Sequence, residues 1–190
     1  MTKKRKKLFT KAEFPVSQVR RFLEPGPIVL LSSRWQGKNN IMTLGWHTVI
    51  EFTPSLVGCV IARANHSFEM IRRSGECVIN LPTRPLTDEV VRIGNSSGAE
   101  IDKFAAFGLT AVDAERVEAP LIGECHASFE CRVHDRSLVG KYDFFILEVV
   151  KAHAAESPRH PKTIHYTGEG IFLESGKAFS RRSLFRNALL

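Results

Sequence analysis

The sequence lacks the features of several common protein classes. No stretch reaches the roughly 18 uncharged apolar residues that a membrane-spanning helix needs, and no apolar segment follows the basic start as in a signal peptide. The four cysteines lie in apolar, strand-like surroundings without C-x-x-C spacing. We therefore expect buried, reduced thiols instead of a disulfide framework, and a cytoplasmic protein that does not bind membranes.

Signatures of nucleotide-binding and hydrolytic folds are also missing. No G-x-G-x-x-G opens a helix after a strand, which argues against a Rossmann domain. Gly170 and Gly176-Lys177 resemble a phosphate loop, but the glycines are one residue too far apart and Ala178 replaces the hydroxyl residue that binds magnesium. Without a G-x-S-x-G elbow, a Ser-His-Asp hydrolase has no support either.

A metal site is not predicted. Cys125, His126, Cys131 and His134 lie within ten residues, which at first suggests a ligand cluster. In an alternating strand, however, both sulfurs lie on one face and both imidazoles on the other. One ion cannot contact all four side chains.

Positive charge is concentrated at the two ends of the chain. The net charge is +7, yet nine of the 27 basic residues lie in residues 3–7 and 177–186, leaving 18 basic against 20 acidic residues elsewhere. We therefore divide the chain into a basic tail (1–12), a nearly neutral domain (13–175) and a basic C-terminal segment (176–190). A neutral body favours solvated tails over a nucleic-acid-binding arm. The C-terminal segment could also be amphipathic and dock on its own domain or on a partner subunit, through Phe179, Leu184, Phe185, Leu189 and Leu190.

Strand patterns dominate the periodicity of the apolar residues. They predict a mainly β, antiparallel fold with a few peripheral helices. The predicted strands are Ile28–Ser33, Ile41–Ile50, Leu56–Arg63, Glu76–Leu81, Cys125–His134, Asp143–Val150 and Thr163–Tyr166. The predicted helices are Phe14–Leu23, Ser67–Arg73, Leu86–Ile93 capped by Thr87, and Ile101–Phe107 ended by Gly108.

The turn Asn65-His66-Ser67 is the candidate anion site. Ser67 is a residue type that caps helices, and the free N–H groups at a helix start attract anions such as phosphate. In the predicted strand Ile41–Ile50, the side chains of Thr43, Trp46 and Thr48 and the backbone of Gly45 could line a flat, partly polar ligand. Ordinary capping, a strand bulge and core packing are the commoner explanations of the same residues.

Several ordered motifs resemble the flavin reductase-like family between about residues 22 and 175. They are Asn40-Ile-Met-Thr43-Leu-Gly-Trp46, His66-Ser67 before Met70-Ile71-Arg72, Gly75–Pro82, Asp102-Lys103-Phe104, Ala119–Ile122, and Glu124-Cys125 through Glu130-Cys131. The resemblance implies an FMN-binding split β-barrel of Greek-key type, typically a homodimer with flavin near the subunit interface. The chain departs from the family pattern at Gly45 (usually Ser), Ser55 (usually Pro) and Ser67 (usually Thr).

The resemblance also implies a set of cofactor contacts. The Ser67 hydroxyl and the helix-start amides would hold the phosphate, with Arg63 and Lys103 as nearby cations, although an exposed helix lysine explains Lys103 equally well. The catalytic residue is unknown, because flavin chemistry requires no side-chain acid or base; His165 is either structural or a contact on the open face of the flavin. The implied cofactor-binding residues are Thr43, Leu44, Gly45, Trp46, Thr48, Ala62, Arg63, Asn65, His66, Ser67, Asn80, Lys103 and Phe104.

Two functional hypotheses follow from the resemblance. One is an FMN-dependent oxidoreductase of the flavin reductase type that moves electrons from NAD(P)H through bound flavin to a small acceptor. The other is a binding module without NAD(P)H turnover, either a flavin-binding electron carrier or a basic-tailed protein with an empty barrel.

Overall fold

The structure, a computed structural model, describes residues 26–186 of the chain. The predicted helix Phe14–Leu23, the basic tail 1–12 and the last residues 187–190 lie outside the described residues. The strands are β1 Val29–Trp35, β2 Lys38–Leu44, β3 His47–Glu51, β4 Leu56–Val60, β5 Glu76–Leu81, β6 Ala111–Val112, β7 Leu121–Ile122, β8 Ala127–Asp135, β9 Phe144–Ala154, β10 Ile164–Gly168 and β11 Ile171–Glu174. The helices are α1 His66–Ser74, α2 Thr87–Gly94, α3 Lys103–Ala106 and α4 Val139–Tyr142, with 3-10 turns at Arg84–Leu86 and Arg182–Leu184.

Seven antiparallel strands form one sheet in the order β2-β1-β5-β8-β9-β4-β3. Met42 and Leu44 from one end of this order share a buried cluster with Cys59 and Phe145 from the other end. The sheet therefore curls into a barrel around a common core, and the predicted mainly β class with few helices is confirmed.

A second apolar core covers the outside of β1 and β2. Alternate side chains of β1 point to opposite faces, so Leu31 enters the barrel core while Leu30 packs outward. Val90 and Ile93 of α2 and Phe104 of α3 cover this outer face. The helices therefore lie beside β2 and, with it, form the walls of the cavities described below.

The predicted strand Ile41–Ile50 is wrong as a single element. The chain leaves β2 at one edge of the sheet, turns at Gly45-Trp46, and enters β3 at the opposite edge. The Trp46 carbonyl accepts a hydrogen bond from Val60 N at 3.0 Å, which ties the turn to β4. Thr48, Val49, Ile50 and Glu51 of β3 are exposed, so the apolar run in the sequence does not mark one buried strand.

Two predicted helix caps, Ser67 and Thr87, need correction, whereas Asp102 caps a third helix. Asn65 precedes α1 as its N-cap, so Ser67 lies inside the first turn and does not cap it. Thr87 is the first residue of α2, and its hydroxyl donates to the Arg84 carbonyl at 2.7 Å instead of capping. Asp102 does cap α3, accepting bonds from the N–H groups of Phe104 at 3.0 Å and Ala105 at 3.2 Å.

The polar face of β8 is less exposed than its alternation predicts. Glu130 is fully buried because the loop before β7 folds over it. Its carboxylate accepts bonds from the N–H groups of Glu115 at 3.1 Å and Arg116 at 2.6 Å, and contacts His153 Nε2 at 2.7 Å. Burial raises the pKa of Glu130, but these hydrogen bonds outweigh that effect and leave the pKa below its usual range.

All four cysteines are free thiols, and Cys59, Cys77 and Cys131 are buried. Burial raises the pKa of the Cys125 thiol to about 12. Among residues 26–186, no group of histidine, cysteine or acidic side chains is arranged to hold a metal ion. None of the helices in this range has the length and apolar character needed to cross a bilayer.

Candidate ligand-binding site

Two adjoining cavities lie between the end of β2, the start of α1 and the helices α2 and α3. The larger cavity has a volume of about 610 Å³ and the smaller about 150 Å³. Met42 and Asn65 line both, so the cavities are neighbours along one continuous wall. Together they could hold an elongated ligand with two chemically different ends.

The smaller cavity is polar and contains a buried cation. Lys103 is only 4% exposed, and its Nζ donates to the Ile93 carbonyl at 2.9 Å. No carboxylate forms an ion pair with it among residues 26–186. Burial lowers the pKa of Lys103. The lining consists of Asn40, Met42, Ala64, Asn65, His66, Ser67, Ser96, Ser97, Gly98 and Lys103.

Asn40 and Ser67 form the inner wall of this polar cavity. Both are buried, and Asn40 Nδ2 donates to Ser67 Oγ at 2.8 Å. Asn40 Oδ1 is buried and has no hydrogen-bond donor within the described residues. A Cβ added at Gly98 would lie 1.9 Å from this oxygen, so the close approach requires glycine. A ligand hydroxyl could provide the donor that Oδ1 lacks.

The first turn of α1 adds backbone donors. No side chain caps the helix, because Asn65 Nδ2 donates back to the Ala62 carbonyl at 3.2 Å. Within residues 26–186, the N–H groups of the first turn therefore have no side-chain acceptor at the cavity that His66 and Ser67 line. Helix-start N–H groups, a buried ammonium and small hydroxyl residues are the donors that bind a phosphate group.

The larger cavity has no charged side chain in its described lining. It is lined by Ile28, Met42, Thr43, Leu44, Gly45, Trp46, Val60, Ala62, Asn65, Val90, Val91, Gly94, Asn95, Tyr166, Gly170 and Phe172. The Thr43 hydroxyl donates to the Val90 carbonyl at 2.7 Å, which joins β2 to α2. A mostly apolar lining with a few amide and hydroxyl groups suits a flat heteroaromatic ring.

The β10–β11 hairpin supplies aromatic residues to this lining. The rings of Tyr166 and Phe172 pack with centroids 5.0 Å apart and planes tilted by 51°. The Tyr166 hydroxyl accepts a bond from Gly170 N at 3.2 Å, which fixes the hairpin tip. Gly170 has φ +75°, a left-handed conformation that glycine adopts without strain.

The structure brings most of the predicted cofactor-binding residues to the two cavities. Asn65, His66, Ser67 and Lys103 line the polar cavity. The larger one is lined by Thr43, Leu44, Gly45, Trp46, Ala62 and again Asn65. The alternative placement of Lys103 as an exposed helix lysine is wrong, because the side chain is buried.

Four predicted residues line neither cavity. Arg63 donates to Asp143 Oδ1 from Nη2 at 2.7 Å, which holds the pKa of that carboxyl below its usual range. Thr48 lies exposed on β3, and Phe104 packs in the outer core. Asn80 is buried in a separate network, donating to Ser32 Oγ at 2.9 Å. We leave these four outside the site proposed below.

His165 also lies outside both linings, although its neighbour Tyr166 does not. Its Nε2 contacts Thr163 Oγ1 at 2.9 Å within the β10 region. The sequence analysis does not identify several residues that line the cavities: Ser96-Ser97-Gly98, Asn95, Tyr166 and Phe172. The small polar run after α2 was the available signal for the first three, whereas Tyr166 and Phe172 read as ordinary strand residues.

Comparison with known proteins decides the family. A model of the flavin reductase-like domain matches residues 20–171. The chain belongs to the flavin reductase-like family. A crystal structure described as an FMN-binding domain of a flavin reductase-like enzyme from Shewanella baltica is 27% identical, has a TM-score of 0.74, and covers 89% of this chain and 96% of that one. The predicted split-barrel fold of this flavin reductase-like protein is thereby confirmed.

Other relatives support the family without adding an activity. An uncharacterized protein of Archaeoglobus fulgidus is 34% identical over 113 residues, which cover 60% of this chain but only 64% of that protein. The uncharacterized protein YddH of Escherichia coli is 32% identical over 171 residues, covering 83% of this chain and 90% of YddH. A flavoredoxin from Methanosarcina acetivorans, at 22% identity and a TM-score of 0.78, covers 96% of this chain and 100% of its own and shows the same fold.

Proposed function

We propose that this flavin reductase-like protein binds FMN across the two cavities and is an oxidoreductase that moves electrons from NAD(P)H to a small acceptor. The flavin ring belongs in the larger, uncharged cavity, and the phosphate belongs in the polar one. The Shewanella protein, described as FMN-binding, has the same fold at 27% identity. Each end of the cofactor would thus lie in the cavity whose lining matches its polarity.

The observation that carries the proposal is the buried ammonium of Lys103. A buried charge without a partner is costly, because it loses its hydration without gaining an opposite charge. A phosphate dianion in the adjoining cavity removes that cost, and the α1 amides and the Ser67 hydroxyl can donate to its oxygens. The buried acceptor Asn40 Oδ1 suits a hydroxyl of the ribityl chain.

Bound FMN would supply reversible hydride and electron transfer, which no side chain provides by itself. The protein has to hold the ring and leave one face accessible to donor and acceptor in turn. That task requires no side-chain acid or base, and no carboxylate, histidine, lysine or arginine among residues 26–186 lines the larger cavity. The alternative function, a flavin-binding carrier without NAD(P)H turnover, uses the same site.

The binding proposal is tested by comparing FMN with riboflavin, which lacks the phosphate. Isothermal titration of apo-protein should give tighter binding of FMN by about tenfold or more, the effect of one or two charge-assisted hydrogen bonds. Lys103→Met should weaken FMN binding and leave riboflavin binding nearly unchanged. Lys141→Met, at an exposed lysine, is the matched control. Equal affinities of wild type for both flavins would contradict the proposed phosphate site.

The enzymatic proposal needs a separate measurement. Anaerobic addition of NADH or NADPH to the FMN-loaded protein should bleach the flavin absorbance near 450 nm, a property of the flavin ring itself. A loaded protein that neither nucleotide bleaches would be a carrier that receives electrons from another protein. This result would reject the oxidoreductase function without rejecting FMN binding.

We also propose that the protein is a homodimer that uses β3. This strand is the last of the seven in the sheet order, and within residues 26–186 no strand pairs with its outer edge. It also exposes large apolar side chains, Val49 at 65% and Phe52, just beyond its end, at 85%. An exposed apolar edge strand is the usual mark of an association surface.

A further inference from the structure

The lining of the larger cavity indicates which class of electron acceptor the protein uses. This inference rests on the proposed binding of FMN. No aspartate, glutamate, lysine, arginine or histidine lines it among the described residues. Moving a charged group into such surroundings loses hydration without gaining a counter-charge. A molecule that reaches the flavin ring inside this cavity is therefore favoured when its own ring is uncharged.

The size of the cavity allows a second ring. About 610 Å³ lies within the usual range of ligand-binding clefts in proteins. Only the flavin ring has to occupy it, because the polar cavity of about 150 Å³ adjoins it for the phosphate end. The remaining volume suits a planar molecule of one or two rings.

The hairpin offers this molecule an aromatic surface and a hydrogen-bond donor. Phe172 is fixed by its contact with the Tyr166 ring at 5.0 Å. The Tyr166 oxygen accepts a bond from Gly170 N, and no residue between 26 and 186 accepts its hydrogen, which can be donated to a carbonyl oxygen. An aromatic face beside a hydroxyl donor complements a flat carbonyl compound.

We propose that the acceptor is an uncharged planar carbonyl compound of the quinone class, which packs against Phe172 and accepts a hydrogen bond from Tyr166. The overall reaction balances without a further reagent. A hydride from NAD(P)H and one proton from water convert the quinone to the hydroquinone, and NAD(P)+ is released. Both electrons reach the quinone by way of the bound cofactor.

Acceptor choice is measured with two quinones that differ in charge. The FMN-loaded protein is photoreduced anaerobically and mixed in a stopped-flow instrument with menadione or with a sulfonated naphthoquinone. Each rate is divided by the rate of the same quinone with free reduced FMN, which removes differences in driving force. We expect the normalised rate of menadione to exceed that of the sulfonate by about tenfold or more, since the sulfonate must be desolvated. Equal rates, or a faster sulfonate, would overturn the proposal.

Two substitutions examine the cavity lining directly. With both variants loaded to the same FMN content, Phe172→Ala should slow menadione about tenfold, whereas Leu173→Ala, at the exposed neighbour on β11, should not. Val91→Lys adds a cation to the lining and should speed the sulfonate, whereas Ala155→Lys adds the same charge on an exposed loop away from it. If both test variants behave like their controls, the proposal is wrong.

The FMN content of the purified protein distinguishes a failure of the proposed FMN binding from a failure of the inference about the acceptor. A protein that takes up no FMN would reject the proposed function and this inference with it. A protein that binds FMN but does not distinguish the two quinones would reject only the inference about the acceptor.

Discussion

Asn40 Nδ2 donates a hydrogen bond to Ser67 Oγ at 2.8 Å, joining residues 27 positions apart in sequence. The bond connects β2 to the first turn of α1 at the wall of the polar cavity. Because both residues are buried, water cannot replace either partner. The hydroxyl of Ser67 is thus held in place before any ligand arrives, and it still has its own hydrogen to donate.

Replacing Ser67 with alanine should therefore have two effects. FMN affinity should fall by about 1–2 kcal/mol, and the free energy of unfolding should fall by about 1–3 kcal/mol because Asn40 Nδ2 loses its acceptor. Isothermal titration and urea unfolding measure the two quantities. Ser74→Ala, at the other end of α1 and outside both cavities, should leave FMN affinity unchanged. Unaltered FMN binding by Ser67→Ala would remove this hydroxyl from the site.

Gly98→Ala tests the position of Asn40 in the wall of the polar cavity. The new methyl group would meet Asn40 Oδ1 at 1.9 Å, so Asn40 must move and its bond to Ser67 must weaken. We expect FMN affinity to fall by about tenfold, with a melting temperature lowered by a few degrees. Gly176→Ala is the control, because a Cβ there meets nothing within 4 Å. Identical FMN binding by both variants would show that the Asn40 position is unimportant.

The sequence predicts the fold and part of the candidate site. It misses or misplaces other site residues for physical reasons. The turn Asn65-His66-Ser67 carries local chemistry that can be read without a structure. The sequence around Tyr166 and Phe172 does not identify them as site residues, because a strand residue facing a cavity has the same periodicity as one facing the core. Arg63 was expected near the phosphate, yet its planar guanidinium pairs with Asp143, 80 positions away. Such distant pairings are set by topology, which periodicity does not specify.

The homodimer proposal predicts a change in mass when β3 loses its apolar surface. Phe52→Ser should convert the dimer to a monomer in analytical ultracentrifugation, since an 85% exposed phenyl ring can stabilise little within one subunit. Tyr142→Ser, at another exposed aromatic residue, should leave the mass unchanged. A wild-type protein that sediments as a monomer would contradict the proposal outright.

The lowered pKa of Lys103 predicts a specific dependence of stability on pH in the apo-protein. The folded chain releases this proton below the ordinary lysine value of 10.5, whereas the unfolded chain releases it at that value. Between the two values the unfolded chain binds more protons, so the free energy of unfolding gains a contribution that rises with pH. Urea unfolding in the alkaline range should show this rise in wild type and in Lys141→Met, but not in Lys103→Met. Parallel curves for all three proteins would show that Lys103 is as well solvated as a surface lysine.

Glu130 and His153 form the buried counterpart of the exposed pair His134–Glu148. The pKa of Glu130 is lowered below the ordinary 4.5, so its stabilising contribution is complete above that value and is lost as pH falls through the folded pKa. Glu130→Gln should cost about 2–3 kcal/mol at neutral pH, because the charge-assisted bonds from Glu115 N and Arg116 N are weakened.

The exposed pair provides the control for this last substitution. Glu148→Gln should cost less than about 0.5 kcal/mol, as is usual for solvated ion pairs, since Glu148 contacts His134 at 3.3 Å with both side chains well exposed. Urea unfolding of both variants at neutral and acidic pH separates the two cases. The deficit of Glu130→Gln should shrink as pH falls through the folded pKa, because wild-type Glu130 then also loses its charge. A deficit that stays constant with pH would assign the loss to packing and not to the buried carboxylate.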